Sequence, residues 1–221
     1  MRPGRAIAAL GRLTALAVLS VAVHGHADRL LLESLRQDRS AASWALRLAR
    51  EAVVACVSGT EAPQAPANIP QSLRGQAGVF VSLSLEGKRR GCRGYLRPPA
   101  PTIAEQIILS ATAAASRDDR RRILKPEELA GLTIHVAIAG DPRRLHLGEA
   151  PDPAREGVLA EGPAGHGIIL PGEARTGAWA VREARRRAGL GPQDSGVMWR
   201  FECVVFREPA RGRESSRQAN R

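Results

Sequence analysis

"AGVFVSLSLEGKRRGCRGYLRPP", residues 77–99, decides the fold. Val79, Val81, Leu83 and Leu85 alternate with Phe80, Ser82 and Ser84, the period-2 signature of a strand with one apolar face. Glu86-Gly87 supplies a turn, so the following segment returns as the second arm of a hairpin. On that return lies Cys92, between Gly91 and Gly94 and crowded by Lys88, Arg89, Arg90, Arg93 and Arg97. Positive charge favours a thiolate, and glycine lets a backbone approach a ligand closely. The stretch therefore reads in three ways: a reactive thiol, an anion cradle, or a structural cysteine in a glycine-framed turn.

Upstream, residues 28–57 read as one long helix or two short ones, with Leu48, Ala49, Ala52, Val53 and Cys56 on one stripe. Pro63, Pro66 and Pro70 then break the chain into a surface loop. Downstream, Thr102 is a plausible N-cap for an alanine-rich helix with Ile103, Ile107, Ser110, Ala111 and Ala114 on one face. "KPEEL" (125–129) opens a further helical turn with proline at its first position. "LTIHVAIAG" (132–140) is a second alternating strand, and "REGVLAEGPAGHGIILPGEA" (155–174) a hairpin. "AWAVREARRRAGL" (178–190) is a short basic helix ended by Gly189. "GVMWRFECVVFRE" (196–208) is the last strand, with Trp199, Phe201, Cys203 and Val205 on one face. Irregular alternation without a βαβ repeat, a GxGxxG loop or a Walker loop gives an α+β class, its mostly antiparallel or mixed sheet flanked by helices.

The chain has 221 residues, a one-domain length, with 33 Lys and Arg against 22 Asp and Glu, for a formal charge of +11. Lys88 and Lys125 are the only lysines. Such a surface attracts phosphates, anionic lipid or acidic partners, although a solvated arginine-rich face produces the same charge. Aromatic residues make up 3% of the chain, so the core must be built from Leu, Ile, Val and Ala. Residues 1–27 carry Arg2, Arg5 and Arg12, then an apolar run from Leu13 to Val23, and close on Gly25-His26-Ala27. A span of the bilayer needs ~20 apolar residues, so this run reads as a cleavable export signal or an N-terminal anchor. The expected organisation is a signal peptide or anchor over 1–27, one domain over 28–208, and a disordered basic tail over 209–221. The mature chain is expected to be periplasmic or extracellular, with no membrane span after cleavage.

Export makes the cysteines pertinent, because Cys56, Cys92 and Cys203 allow one disulfide and leave one thiol. Cys56–Cys203 and Cys92–Cys203 are both conceivable pairs, and an unpaired set is the expected outcome. There is no CxxC, HExxH or helical histidine pair, so neither a metal nor a cofactor is expected. For catalysis, Cys92 would be the nucleophile or redox thiol and His135, His146 or His166 its base. His135 lies opposite in phase to Ile134 and Val136, facing solvent or a cleft; His166 lies among glycines in "AGHGI". For binding, Arg90, Gly91, Arg93 and Gly94, joined by Arg117, Asp118 and Arg120, would line a basic cleft for a small anionic ligand or an acidic protein segment. Nucleic acid is not expected, because Tyr95 is the only aromatic near the charge.

The ordered blocks "GVFVSL", "RRGCRG", "SRDDRRRILKPEELAGLTIHVAI", "REGVLAEG…GHGIILP", "ARRRAGL" and "WRFECVVF" resemble the AMMECR-type domain, protein A of the AmmeMemoRadiSam set. The resemblance runs from about Leu30 to Glu208. It implies an α+β fold of two unequal subdomains, the larger built on an antiparallel sheet, and no established activity. It also implies association with Memo-like and radical SAM proteins, in tension with an export signal. The family's six-residue hallmark, LRGCIG-like, falls on Arg89–Gly94, with Arg89 and Arg93 in place of the leucine and isoleucine.

Overall fold

A computed structural model describes residues 29–116, 123–146, 148–191 and 193–209. The stretch 28–57 resolves into two helices, α1 (residues 29–37) and α2 (Arg39–Ser58). Asp38 separates them because its carboxylate caps the second helix, accepting from the backbone N–H groups of Ser40 and Ala41. Hydroxyl donors from Ser40 and Ser72 hold that carboxyl below its usual range. At its other end α2 stops at Gly59, whose left-handed φ of 68° turns the chain away. The third helix, α3 (Ile103–Ser116), begins in a reciprocal box: Thr102 Oγ1 accepts from Glu105 N–H, and Glu105 accepts from Thr102 N–H.

The seven strands are β1 (Gly78–Leu85), β2 (Lys88–Tyr95), β3 (Leu132–Ala139), β4 (Arg143–Arg144), β5 (Glu156–Gly162), β6 (Gly165–Ile169) and β7 (Val197–Arg207). They run in the order β2-β1-β3-β7-β5-β6, with β4 beside β7, and every pairing is antiparallel. At the β1–β2 turn both Glu86 (φ 52°) and Gly87 (φ 77°) are left-handed, the requirement of a type I′ hairpin. The RGCRG segment is thus not a turn but part of β2: the turn chemistry sits at Glu86-Gly87, and the later glycines serve close packing. A Cβ on Gly91 would lie 2.6 Å from the Ala114 carbonyl of α3, and one on Gly94 would collide with the Phe80 ring.

Alternation along β1, β3 and β7 gives the sheet two faces. Val79, Val81, Leu83, Ile134, Val136 and Ile138 point one way, into a core covered by α2 and α3. Those helices pack against each other and each buries several alanines, among them Ala45, Ala49 and Ala52 of α2 and Ala104, Ala111 and Ala115 of α3, which answers the shortage of aromatics with close approach. A smaller core lies where α4 (Gly177–Arg187) packs on β5 and β6 through Ala180, Ala184, Val158 and Ile169. The two cores share β7, whose residues 203–207 pair with β3 and 197–202 with β5. This is an α+β fold of two unequal halves. Cys56 abuts α3, donating to the Thr112 carbonyl at 3.7 Å, whereas Cys203 lies with Phe201 on the opposite face. The sheet stands between them, so the conceivable Cys56–Cys203 pair is excluded. The expected signal segment and most of the expected tail lie outside the described residues, and among those described no helix is long and apolar enough to cross a membrane.

The end of β7 is clamped by a half-buried ion pair. Arg50 on α2 binds the Glu208 carboxylate through both Nε and Nη2 and also donates to the Leu129 and Leu132 carbonyls. Glu208 in turn accepts from Ile134 N–H at 2.9 Å. Removing one partner leaves the other charge half-buried and its carbonyl or N–H partners short of a bond, at a cost of about 1–3 kcal/mol. Glu208→Ala is therefore expected to lower unfolding stability by that amount in urea titration, and a loss below about 0.5 kcal/mol would refute the clamp.

Candidate functional site

The second face of the sheet, the one α2 and α3 leave uncovered, carries the polar half of the alternation. Register places Cys92, Ser82, His135 and Arg207 in one cross-strand row over β2, β1, β3 and β7. Paired residues project to the same side of a sheet, so the row shares one surface. Ser82 Oγ donates to Cys92 Sγ at 3.2 Å. Ser82 stands between Cys92 and His135, whose backbones are two strand spacings apart, about 10 Å. Burial, followed by the nearby Arg207 charge, pushes the His135 imidazole below its ordinary value, so it is neutral at neutral pH.

A bulge in β2 sorts the arginines that the sequence grouped together. Leu83 pairs with Gly91 and Ser84 with Arg89, leaving Arg90 as the extra residue. Arg89 turns toward the uncovered face and forms an ion pair with Glu173. Arg90 turns away, bonding Glu128 through Nε (2.6 Å) and Nη2 (2.9 Å) and the Ile123 carbonyl at 3.0 Å. The Arg90 hydrogen bonds hold the Glu128 carboxyl below its usual range. Arg93 pairs with Val81 and shares the helix-covered side of the sheet.

Opposite the row stands the loop after β6. Gly172 has a φ of 82°, and a Cβ there would sit 3.0 Å from Arg207 Nη2, so the loop passes directly against that guanidinium. Glu173 lies between Arg89 and Arg187 of α4, the latter at 3.8 Å. Arg187 is oriented by Glu183 at 2.9 Å and by the Ile168 carbonyl at 2.8 Å. Hydrogen bonds from Arg186 and then Arg187 take the Glu183 carboxyl down to about 2, so this support persists across the ordinary pH range. Between row and loop is a cleft of about 580 Å³ with Ser82, Ser84 and His135 on its floor. Arg89, Arg187 and Arg207 line it against the single carboxylate of Glu173.

A smaller hollow of about 270 Å³ lies at the other end of β2, where Tyr95 and Arg97 meet Leu159, Ile168 and Trp199. His166 is exposed on β6, opposite Glu161, and lines this hollow rather than the larger cleft. The structure therefore brings Cys92 and His135 to one face and sets His166 in a separate depression. Gly91 and Gly94 admit α3 and the Phe80 ring, respectively. Arg117, Asp118 and Arg120 lie outside the described residues. Among the described residues no group of three or more His, Cys, Asp and Glu side chains is arranged to hold a metal.

Sequence reasoning missed Arg187, Arg207 and Glu173. A signal for Arg207 was present, since it continues the phase of Phe201, Cys203 and Val205. Arg187 had none: it sits in a run of three arginines, and only the packing of α4 selects the one that faces the cleft.

Comparison with known proteins agrees with this architecture. The AMMECR1 family model matches residues 46–206. A protein of Methanothermobacter thermautotrophicus is 30% identical over 177 residues, covering 74% of this chain and 92% of that one. One of Thermotoga maritima is 32% identical over 145 residues, covering 63% and 83%. The crystal structure of an uncharacterized protein from Pyrococcus horikoshii superposes with a TM-score of 0.67 at 24% identity, over 76% of this chain and 93% of that one. The chain belongs to the AMMECR1 family.

Proposed function

We propose that this chain is a binding module whose ligand is anionic and occupies the cleft over Ser82, Ser84 and His135. The observation that carries it is a cleft of about 580 Å³ lined by three arginines, of which Arg89 and Arg187 are held by Glu173 and Glu183 while Arg207 lies against Gly172. Guanidinium forks bind phosphate or carboxylate oxygens in pairs, and such charge-assisted bonds are about twice as strong as neutral ones. Arg207 makes no ion pair among the described residues, which leaves its fork to the ligand. The Ser84 hydroxyl on the floor adds a donor, and a neutral imidazole contributes one further N–H. The proposed anion site thus lies on β1, β3 and β7 rather than around Gly91 and Gly94. The partner classes this supports are a small anion and an acidic protein segment.

Catalysis through Cys92 is a second reading, favoured by the Ser82 hydroxyl bonded to the thiol and by the neutral His135 on the other side of that serine. Against it stands the separation of thiol and imidazole by a whole strand. The leader pattern of residues 1–27 supports a further proposal, that the chain is exported and functions outside the cytosol.

Calorimetric titration with inorganic phosphate and with citrate tests the cleft. Arg207→Ala is expected to weaken binding by about tenfold or more, the scale of one lost charge-assisted hydrogen bond. Cys92→Ser is expected to bind as the parent does; no Arg207-dependent binding of either anion would overturn the module reading. Because the fold favours neutral His135, the unfolded chain binds more protons between its folded value and about 6.5. Stability is then complete above about pH 6.5 and falls as pH is lowered through that window. His135→Gln should flatten this part of the profile in thermal melts, and an unchanged slope would show that another group titrates there. Mass spectrometry of protein recovered from an exporting host should find Asp28 as the first residue, and a retained Met1 would contradict cleavage.

A further inference from the structure

The hollow at the far end of β2 is separate from the anion cleft and is built differently. Alternation in the small half puts Trp199 of β7, Leu159 of β5 and Ile168 of β6 in one cross-strand row, while α4 covers the other side of β5 and β6. Paired residues share a side of the sheet, so these three form one apolar floor. Two residues further along, about 7 Å at the ordinary strand rise, the floor turns polar, with Glu161 opposite His166. Tyr95 and Arg97, at and just past the end of β2, complete the lining. The Arg144 guanidinium lies over the Trp199 ring, 5.7 Å from its centroid, a cation–π contact that orients the indole.

Size and charge select the occupant. An apolar cavity of about 150 Å³ holds a benzene ring, so a hollow of about 270 Å³ has room for one ring and a short polar head. Arg97 and Glu161 both border it, and neither makes an ion pair or a side-chain hydrogen bond among the described residues. The hollow therefore offers one positive and one negative group beside an aromatic and aliphatic floor. A plain hydrocarbon leaves both charges unmatched, and a simple carboxylate or amine matches only one. An α-amino acid carries a carboxylate and an ammonium on a single carbon together with its side chain, and matches all three. We propose that this hollow binds a free aromatic α-amino acid, its ring against Tyr95, Leu159 and Trp199, its carboxylate at Arg97 and its ammonium at Glu161. Ring contacts add to the burial of apolar area, and the guanidinium fork takes both carboxylate oxygens. This is a second site, independent of the anion-binding reading of the cleft.

Ligand-observed NMR titration tests it with L-phenylalanine and three analogues: phenethylamine, which lacks the carboxylate, hydrocinnamate, which lacks the ammonium, and L-alanine, which lacks the ring. Phenylalanine is expected to bind about tenfold or more tightly than each of the three, the scale of one charge-assisted hydrogen bond. Arg97→Gln should weaken phenylalanine and hydrocinnamate by about tenfold and leave phenethylamine unchanged. Glu161→Gln should weaken phenylalanine and phenethylamine and leave hydrocinnamate unchanged. A merely structural role for either residue would weaken all the ligands alike, and thermal melts check that each variant folds. Arg207→Ala should bind phenylalanine as the parent does, because Arg207 borders the cleft and not the hollow. Equal affinity for phenylalanine and its analogues, or parental affinity in both the Arg97 and Glu161 variants, overturns the proposal. So does a loss confined to Arg207→Ala, which would put the ligand in the cleft. If phenylalanyl-glycine or glycyl-phenylalanine binds more tightly than free phenylalanine, the hollow is a site for a chain terminus and the free amino acid is the wrong occupant.

Discussion

One strand, β7, has to satisfy both halves of the sheet at once. Its C-terminal half pairs with β3 and its N-terminal half with β5, so the large helix-covered half and the small α4-covered half share a single backbone. That constraint sets the position of everything in the cleft. It brings the hairpin of β5 and β6, with the Leu170–Glu173 loop at its end, over the polar face of β1 and β3. The Arg50–Glu208 clamp then fixes the end of β7 one residue past Arg207, so the neighbouring guanidinium stays aimed at the loop. A half-buried charge held by a partner contributes little net stability, but it disfavours registers that would leave it unpaired.

Arginine is the main polar resource of this chain, and the fold spends it in three different ways. Arg50 and Arg90 are structural, each tying a loop or a helix to the sheet through a carboxylate and backbone carbonyls. Arg187 is intermediate, held by Glu183 and the Ile168 carbonyl while still bordering the cleft. Arg207 has its fork turned to the cavity. The high formal charge is therefore a poor guide to binding by itself, because internal pairing consumes part of it. What matters is local imbalance in a concave space, where a guanidinium meets its ligand with less competition from water.

Much of the fold was legible along the chain. The alternation of Val79–Leu85 and Leu132–Ala139, the Thr102 cap, the Glu86-Gly87 turn and the stop at Gly189 each act over a few residues, and each appears where its local pattern placed it. The role of the Gly91 and Gly94 pair was not legible. A glycine that frees a turn and a glycine that admits a helix carbonyl or an aromatic ring look identical in sequence, and only the arrival of Ala114 and Phe80 tells them apart.

The sequence by itself determined the α+β class, the two faces of the central strands and the polar character of the face that holds Ser82, Ser84 and His135, because side-chain period is a property of the backbone. It also determined family membership, through motifs kept in order. Tertiary structure alone decided which arginines meet. The β2 bulge separates neighbours Arg89 and Arg90 onto opposite faces, and the pairing of β7 brings Arg207 beside residues more than thirty positions earlier in the chain. Electrostatic sites are set by distances in space, and charges brought together by strand pairing leave no periodic trace in the chain that encodes them.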